Sequence, residues 1–227
     1  MNKLITLFSS LIILLFSTLY AFAEFAVGIT GTAGLYRAHG EEVENSEKTD
    51  DVEDLQVGWA SIFAEYEFDI LGGLRVGVDY VPETVETGTS TRVDSSSNDD
   101  SFVDNNDANA TTNDLGTSSV KAEFSGLITY YAEMPIVGGM YIKGGISEVD
   151  VATKETLHTG SSYGDKTISG HIYGIGYKTD VGSFFLKAET IYQEFEHLAL
   201  TSESNADNKV TADVAGLSGK ISIGKSF

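Results

Sequence analysis

The sequence alternates apolar and polar residues with a period of two in eight separate segments. In one of them Leu74, Val76 and Val78 share one face, while Arg75 and Asp79 share the other. A period of two is the pattern of a β-strand with one apolar and one polar face. After residue 23 no segment repeats apolar residues at helical spacing for three turns, so the pattern predicts an all-β fold. The predicted strands cover residues 25–35, 55–68, 74–80, 119–133, 140–147, 173–177, 184–193 and 217–227.

The connections between these segments are of two kinds, which alternate strictly along the chain. Short turns lie near residues 69–72, 134–138 and 179–182. Long polar loops are predicted over residues 37–54, 83–118, 150–166 and 199–209. Such alternation predicts an antiparallel up-and-down sheet with every short turn at one end and every long loop at the other. Because the number of strands is even, both termini of the barrel domain lie at the short-turn end.

Composition excludes several classes of function. The 227 residues include 34 acids and 14 bases, for a net charge of −20, and there is no cysteine. A chain this acidic is repelled by nucleic-acid phosphates, and without cysteine it has no disulfide framework, thiolate metal site or thiol nucleophile. The acids concentrate in the predicted loops, which hold 21 acids against six bases. The length allows one domain.

The N-terminal segment has the features of a cleavable export signal. Lys3 supplies a positive start, residues 4–23 carry no charge, and Ala21-Phe22-Ala23 matches the small-x-small pattern of signal peptidase sites. A transmembrane anchor is the alternative, because about 20 apolar residues can span a bilayer. We expect residues 1–23 to be a signal peptide and residues 24–227 to be the exported domain.

Charge on the polar face distinguishes a soluble barrel from a membrane barrel. The polar face carries five acids and five bases, and a closed lumen requires such a balance because unpaired buried charge costs several kcal/mol. These residues are Glu65, Glu67, Asp79, Glu123, Glu189, Arg75, Lys121, Lys143, Lys187 and Lys220. We therefore place the polar face inside and the apolar face against lipid, giving an eight-stranded transmembrane β-barrel. The abundant inward glycine is expected to leave room for the long charged side chains.

Hairpin symmetry predicts two contacts within this lumenal set. Reflection through the turn at 70–71 brings Arg75 opposite Glu65 or Glu67, and reflection through the loop near 204–205 brings Lys220 opposite Glu189. We interpret the set as a structural network, with a proton or ion path as the alternative. Outward aromatic residues are expected at the membrane interfaces. They are Phe25, Tyr66, Phe68, Phe184 and Phe227 near the short turns, and Tyr80 and Tyr192 further along their strands.

With the signal, the eight strands and the last strand taken together, the chain resembles small outer-membrane β-barrels of the OmpA-like transmembrane-domain and opacity-protein type. In the last strand Leu217, Gly219, Ile221 and Ile223 alternate toward Phe227, although Lys225 interrupts the apolar run. This ending resembles the signal that the barrel-assembly machinery recognises. The resemblance implies an outer-membrane location in contact with lipid and lipopolysaccharide. We expect no peptidoglycan-binding domain of the OmpA type.

Three functions are compatible with this architecture. We expect a structural or surface-interaction role without a cofactor, and a narrow ion or small-solute channel is the first alternative. The second is a lipid A-modifying enzyme, since some similar barrels are such enzymes and a Ser–His–acid set activates a hydroxyl. Here, however, Ser169-Gly170-His171 reverses the His-x-Ser order of the lipid A deacylases, and the other histidines are His39, His158 and His197. We therefore assign no catalytic residue.

The long acidic loops offer one further candidate site. Asp99, Asp100, Asp104 and Asp107 could bind a divalent cation such as Ca²⁺ weakly through their oxygens, but they lack the spacing of an EF-hand loop. Solvated loops that resist adhesion are the simpler interpretation. We therefore assign no metal site.

Overall fold

The computed structural model describes residues 24–44, 47–95, 115–156, 162–204 and 206–227. Over these residues the regular secondary structure consists of eleven strands. They are β1 (Glu24–Glu44), β2 (Glu47–Phe68), β3 (Leu74–Tyr80), β4 (Val85–Glu86), β5 (Ser90–Ser95), β6 (Leu115–Pro135), β7 (Met140–Thr156), β8 (Lys166–Val181), β9 (Phe184–Phe195), β10 (Leu198–Thr201) and β11 (Lys209–Ser226). The described part of the chain contains no helix long and apolar enough to cross a membrane.

The strands form one closed antiparallel ring. The ladder runs β1-β2-β3-β6-β7-β8-β9-β11, and β11 pairs back with β1 from Ala26 opposite Ser226 to Val43 opposite Lys209. Toward the long-loop end, the short strands β4 and β5 pair with β6 beyond the end of β3. In the same way, β10 pairs with β11 beyond the end of β9. The ring therefore has eight strand positions, which we call staves, as the alternation predicted. The prediction of an eight-stranded up-and-down barrel is confirmed.

The apolar residues face outward and the polar residues face the lumen. Along β9 the exposed fraction is 49% at Phe184 and 40% at Leu186, but 1% at Phe185 and 3% at Lys187. A soluble barrel would show the opposite distribution, because water favours polar groups outside. The outward aromatic residues lie in two rows. They are Phe25, Tyr66, Phe68, Tyr177, Phe184 and Phe227 toward the short turns, and Tyr80, Tyr130, Tyr173 and Tyr192 toward the other end.

Several strands are longer than the sequence pattern predicted. Strands β1 and β2 pair continuously up to Glu44 opposite Glu47, so most of the expected loop 37–54 is a long hairpin. Strand β7 similarly continues through 150–156, and β5 and β10 occupy parts of the expected loops 83–118 and 199–209. The pattern missed the β1–β2 extension because polar residues occupy both of its faces, so no alternation in hydropathy marks it.

A bulge in β6 exchanges its two faces. Ser125 lies opposite Asp150 and Ile128 opposite Glu148, so β6 has one extra residue between these pairs. Gly126 adopts a positive φ of 64°, a backbone conformation that glycine adopts without a steric penalty. Beyond the bulge Phe124 packs inward, and Lys121 and Glu123 consequently lie on the outer side instead of in the lumen. Strict alternation through this strand could not predict the exchange.

Inward glycines lie opposite aromatic rings, which corrects our explanation of the glycine content. At six inward glycines the directly opposite residue is aromatic and its ring lies against the glycine. These pairs are Gly28 with Phe63, Gly77 with Tyr131, Gly170 with Phe195, Gly176 with Tyr141, Gly216 with Tyr36, and Gly224 with Phe185. In each pair a Cβ on the glycine would meet the ring of its partner. The glycines therefore make room for aromatic rings that lie flat across the neighbouring strand.

The lumen is apolar at the long-loop end. Along β7 the inward residues run from Tyr141 and Lys143 through Ser147 to Val149 and Val151. The last two belong to a buried apolar cluster with residues from β8, β10 and the connection before β8. Its other buried members are Tyr163, Ile168, Leu198 and Leu200. This apolar plug covers the charged part of the lumen from above.

We predict that Gly77→Ala destabilises the barrel by about 1–3 kcal/mol, because the added methyl group displaces the ring of Tyr131. Urea unfolding in detergent micelles measures the change. Gly31→Ala is the matched control, since a Cβ there meets nothing within 4 Å and the residue faces outward. We expect that control to change stability by less than about 0.5 kcal/mol. Equal effects of the two substitutions would contradict the steric explanation.

The long hairpin gives a second prediction, which concerns pH. The Arg37 guanidinium bonds Asp54 through Nε and Oδ1 at 2.8 Å, and this hydrogen bond lowers the pKa of the Asp54 carboxyl. The pair is complete above the unfolded-state pKa and is lost as the pH falls through the lowered folded-state pKa. We expect a carboxyl NMR titration of Asp54 to lie below the ordinary value of about 3.9. Arg37→Gln should raise the titration midpoint toward that value, and an unchanged midpoint would exclude the pair in solution.

Candidate functional site: the lumenal charge network

Glu133 is the centre of the charged lumen. Its side chain is completely buried and contacts three cations. Arg75 Nε lies 2.8 Å from Oε2, Lys187 Nζ lies 2.9 Å from the same oxygen, and Lys143 Nζ lies 3.2 Å from Oε1. These contacts join β6 to β3, β7 and β9. One carboxylate therefore compensates part of the charge on three staves.

From Glu133 the ion pairs continue through the lumen, with acids and bases alternating. Lys187 also pairs with Glu65, and Lys143 Nζ lies 2.9 Å from Glu189 Oε1. Toward the short turns Glu67 Oε2 lies 3.7 Å from Arg75 Nη1 and 3.6 Å from Lys178 Nζ. Each buried charge thus has at least one partner of opposite sign, which buried charges require.

Two inward tyrosines complete the central layer. The hydroxyl of Tyr131 donates to Glu65 Oε2 at 3.2 Å, and that of Tyr141 donates to Glu189 Oε1 at 2.9 Å. Their rings also face cations, since Lys143 Nζ lies 3.7 Å from the Tyr131 ring centroid. The tyrosines therefore fill the space between the ion pairs and supply hydrogen bonds to carboxylates.

The two predicted hairpin contacts have different outcomes in the structure. Arg75 lies opposite Glu67 and contacts it, although its shorter bond is to Glu133. Lys220 lies opposite Glu189 in the ladder, but its Nζ bonds Asp79 Oδ2 at 3.1 Å across the lumen. Reflection through a turn gives the cross-strand neighbour, whereas a long side chain in a narrow barrel reaches a strand that is not adjacent.

Eight of the ten sequence-predicted charges face the lumen, and two do not. Lys121 Nζ lies 2.9 Å from Glu86 Oε2 and 3.1 Å from Glu123 Oε1, in a separate cluster on the outer side above the bulge. Sequence analysis missed Glu133 and Lys178. Both could have been found, since Glu133 has the same parity as the inward Thr129 and Lys178 follows the outward Tyr177. With these exchanges the ion-paired set in the lumen still holds five acids and five bases.

The ion pairs divide the space inside the barrel. A vestibule of about 750 Å³ opens at the short-turn end and is lined by Glu67, Arg75 and Lys178 among others. A cavity of only about 20 Å³ lies above the ion pairs and is lined by Asp79, Lys143 and Lys220 among others. Because Arg75 and Lys143 both bind Glu133, the network forms the wall between these two spaces.

The histidines lie apart from the charged lumen. His171 faces outward on β8, opposite Glu194 of β9, and Ser169 lies two residues away on the same face. Residues two apart on a strand share a face and are separated by about 6.6 Å along it. His197 Nδ1 lies 2.9 Å from Asp213 Oδ1 on the exposed surface. His158 lies outside the described residues.

The remaining candidates concern the last strand and the acidic loop. On β11 the side chains of Leu217, Ile221, Ile223 and Phe227 are exposed on the outer face, together with Gly219. The acidic residues proposed for weak cation binding lie outside the described residues; they are Asp99, Asp100, Asp104 and Asp107. Over the described ranges no group of three or more His, Asp or Glu residues has a geometry that could hold a metal ion.

Comparison with known proteins finds solved structures that resemble this chain at low sequence identity. No protein-family model matches the sequence, and no curated protein matches it. The outer membrane protein OprG from Pseudomonas aeruginosa is 8% identical, with 90% of this chain and 96% of that chain covered and a TM-score of 0.44. The outer membrane protease OmpT from Escherichia coli is 9% identical, with coverages of 90% and 97% and a TM-score of 0.43. Neisserial surface protein A is 13% identical, with coverages of 87% and 98% and a TM-score of 0.32.

The molecule has the fold of a small outer-membrane β-barrel. Its closed antiparallel ring leaves no free edge in the membrane, its outer band is apolar between two aromatic rows, and its lumen is charged and balanced. Only a closed barrel satisfies the backbone hydrogen bonds of strands inside a bilayer. The predicted architecture is thus confirmed.

We predict that Glu133→Gln destabilises the barrel by about 3–5 kcal/mol, because it leaves three buried cations with a neutral amide at their centre. Urea unfolding in micelles measures the loss. Glu123→Gln is the matched control, since Glu123 lies in the outer cluster, and its effect should stay within about 0.5 kcal/mol. A larger effect at Glu123 than at Glu133 would overturn our assignment of the network's centre.

Proposed function

We propose that the protein is an integral outer-membrane β-barrel with a structural or surface-interaction role and a closed lumen. The observation that carries the proposal is the complete burial of Glu133 among three cations on different staves. A conducting pore needs water-filled space at this level, and eight strands enclose an interior that side chains fill. The apolar plug adds a second barrier above the network.

The same proposal assigns partners to the outer surfaces. The exposed apolar band would contact outer-membrane lipid and lipopolysaccharide, with the long-loop end outside the cell. The alternating residues from Leu217 to Phe227 would present the last strand to the barrel-assembly machinery after export by the signal peptide. Weak binding of a divalent cation by the acidic loop remains part of this proposal. We propose no catalytic activity.

A narrow ion conductor is the second candidate, and one observation favours it. Three buried oxygens of the described lumen lack a hydrogen-bond partner, namely Thr32 Oγ1, Ser61 Oγ and Glu65 Oε1. Buried polar atoms of this kind are satisfied by internal water. Water beside the ion pairs would supply the start of a path for protons or small ions. That path would lie on the β1–β2 side of the lumen.

Planar-bilayer recording separates the two candidates. We predict that the wild-type barrel gives no stable channel current. Glu133→Ala should raise conductance and favour anions, because Arg75, Lys143 and Lys187 keep their charges after the carboxylate is removed. A barrier lowered by about 1.4 kcal/mol raises the current about tenfold.

Heat-modifiable migration on a detergent gel is the control that both proteins are folded barrels. Absence of a compact unboiled band for the wild-type protein would overturn the outer-membrane barrel itself. Stable currents through a wild-type protein that shows this band would instead favour the ion conductor.

A further inference from the structure

The part of β2 that lies toward the long-loop end, before Ile62, has a free edge. We call it the upper part of β2. The ladder between β2 and β3 ends where Ile62 lies opposite Tyr80. Beyond that point the Val81 N–H donates to the carbonyl of Leu127 in the β6 bulge at 2.9 Å, and Pro82 follows. The strands β4 and β5 then pair with β6. Within the described ranges, the part of β2 above Ile62 therefore pairs with β1 along one edge and with no strand along the other.

Two side-chain carboxylates identify the backbone groups on this edge. The N–H of Ala60 donates to Glu83 Oε1 at 2.7 Å, and the N–H of Val52 donates to Asp51 Oδ1 at 2.8 Å. Alternate residues of a strand direct their N–H and C=O groups to the same edge. The N–H groups of the even-numbered residues between Val52 and Ala60 therefore point to the free edge. These residues are Asp54, Gln56 and Gly58, and all three are exposed.

The side chains around the edge give it an acidic character. The upper part of β2 carries four exposed acids, namely Asp50, Asp51, Glu53 and Asp54. Two of them have a cation nearby, since Asp50 lies 3.5 Å from Lys48 Nζ and Asp54 bonds Arg37 of β1. Across the gap Glu83 and Glu86 are exposed on the β4 side, where Glu86 also pairs with Lys121. The inward side chains of this stretch are Leu55, Val57 and Trp59, which are apolar and half-buried. The gap thus combines unpaired backbone groups, an apolar floor and two acidic sides.

We propose that this edge is a docking site for an extended basic polypeptide segment, which adds a strand beside β2. Main-chain hydrogen bonds to an exposed sheet edge supply affinity in this mode, and alternate side chains supply specificity. Lysine or arginine side chains of the segment would face the acids on both sides of the gap. The proposal rests on the proposed surface-interaction role and names the class of partner.

A second copy of this chain does not fit the same edge. Parallel pairing of two β2 edges in register, or antiparallel pairing centred near residue 52, would bring the acids between Asp50 and Asp54 against the same acids of the other copy. Like charges directly opposite each other destabilise a ladder. Charge complementarity therefore selects a basic partner over self-association.

The test uses the barrel in detergent micelles and a fluorescent peptide that alternates lysine with valine or threonine over eight residues. We expect saturable binding by fluorescence anisotropy, with slower hydrogen exchange at the amides of Asp54, Gln56 and Gly58. Gln56→Pro removes one edge N–H without touching the ladder to β1, because proline is tolerated on an edge strand. It should weaken binding about tenfold, which corresponds to about 1.4 kcal/mol. Gln56→Ala is the matched control and should bind as the wild type does.

Two further arms test the chemistry of the edge. Glu83→Gln keeps an oxygen acceptor for the Ala60 N–H but removes a charge, so it should weaken binding less than Gln56→Pro. Higher salt should also weaken binding, since the acids are exposed. A peptide N-methylated at alternate residues keeps its charge but loses the N–H donors along the edge that would face β2, and it should not bind. Equal binding of both peptides, or equal binding to Gln56→Pro and Gln56→Ala, would overturn strand addition.

The remaining outcomes are also decisive. No saturable binding of the peptide, or dimerisation of the barrel through residues 54–58 in crosslinking, would overturn the proposed basic occupant. Every variant is first checked for the heat-modifiable compact band. A folded barrel that binds no peptide refutes this inference alone, whereas loss of the band in the wild type refutes the proposed function.

Discussion

Compensation of charge inside a closed ring is the constraint on which the rest of this structure depends. A membrane barrel turns its polar face inward, and eight staves leave too little space for water to solvate many charges there. Glu133 contributes to this compensation because it contacts three cations on three other staves. Glu65, Glu67 and Glu189 each contact one of these cations, and Asp79 pairs with Lys220. The balance of five acids and five bases follows from the need to leave no charge alone.

The aromatic rings opposite glycines belong to the same solution. A lumen of long charged side chains alone would leave gaps, because Lys and Glu side chains are thin. Tyr131 and Tyr141 fill those gaps and donate hydrogen bonds to Glu65 and Glu189. Each ring can lie across its neighbouring strand only because the partner there is glycine. The glycine content, the inward aromatics and the ion pairs are thus three parts of one packing arrangement.

The sequence predicted the number of staves and the positions of the short turns from the period of two and its interruptions, and it predicted the direction of the apolar face from the balance of charge on the polar face. It could not predict the exchange of faces in β6, since a single extra residue at Gly126 leaves the composition unchanged while reversing the positions of Lys121 and Glu123. It also missed the upper parts of β1 and β2. There the ladder hydrogen bonds persist although both faces are polar, so hydropathy carries no signal.

The sequence predicted most of the charged residues of the site but not which of them form ion pairs. Cross-strand neighbours follow from reflection through a turn, and Lys220 does lie opposite Glu189. Its ammonium nevertheless bonds Asp79 on a stave across the lumen. That contact depends on the curvature of the closed ring, which a linear pattern does not contain. Glu133 was missed for a different reason, because it lies beside the turn at Met134 and Pro135, where the alternation was taken to end.

The contacts across the lumen also have a consequence for assembly. Lys187 of β9 meets Glu65 of β2, and Lys220 of β11 meets Asp79 of β3, so these pairs join early and late parts of the chain. In an open sheet the strands of these two pairs would lie far apart, so neither pair could form. The energy of the pairs is therefore gained only when the ring closes. Closure is for this reason a cooperative step, in which the last strand completes many interactions at once.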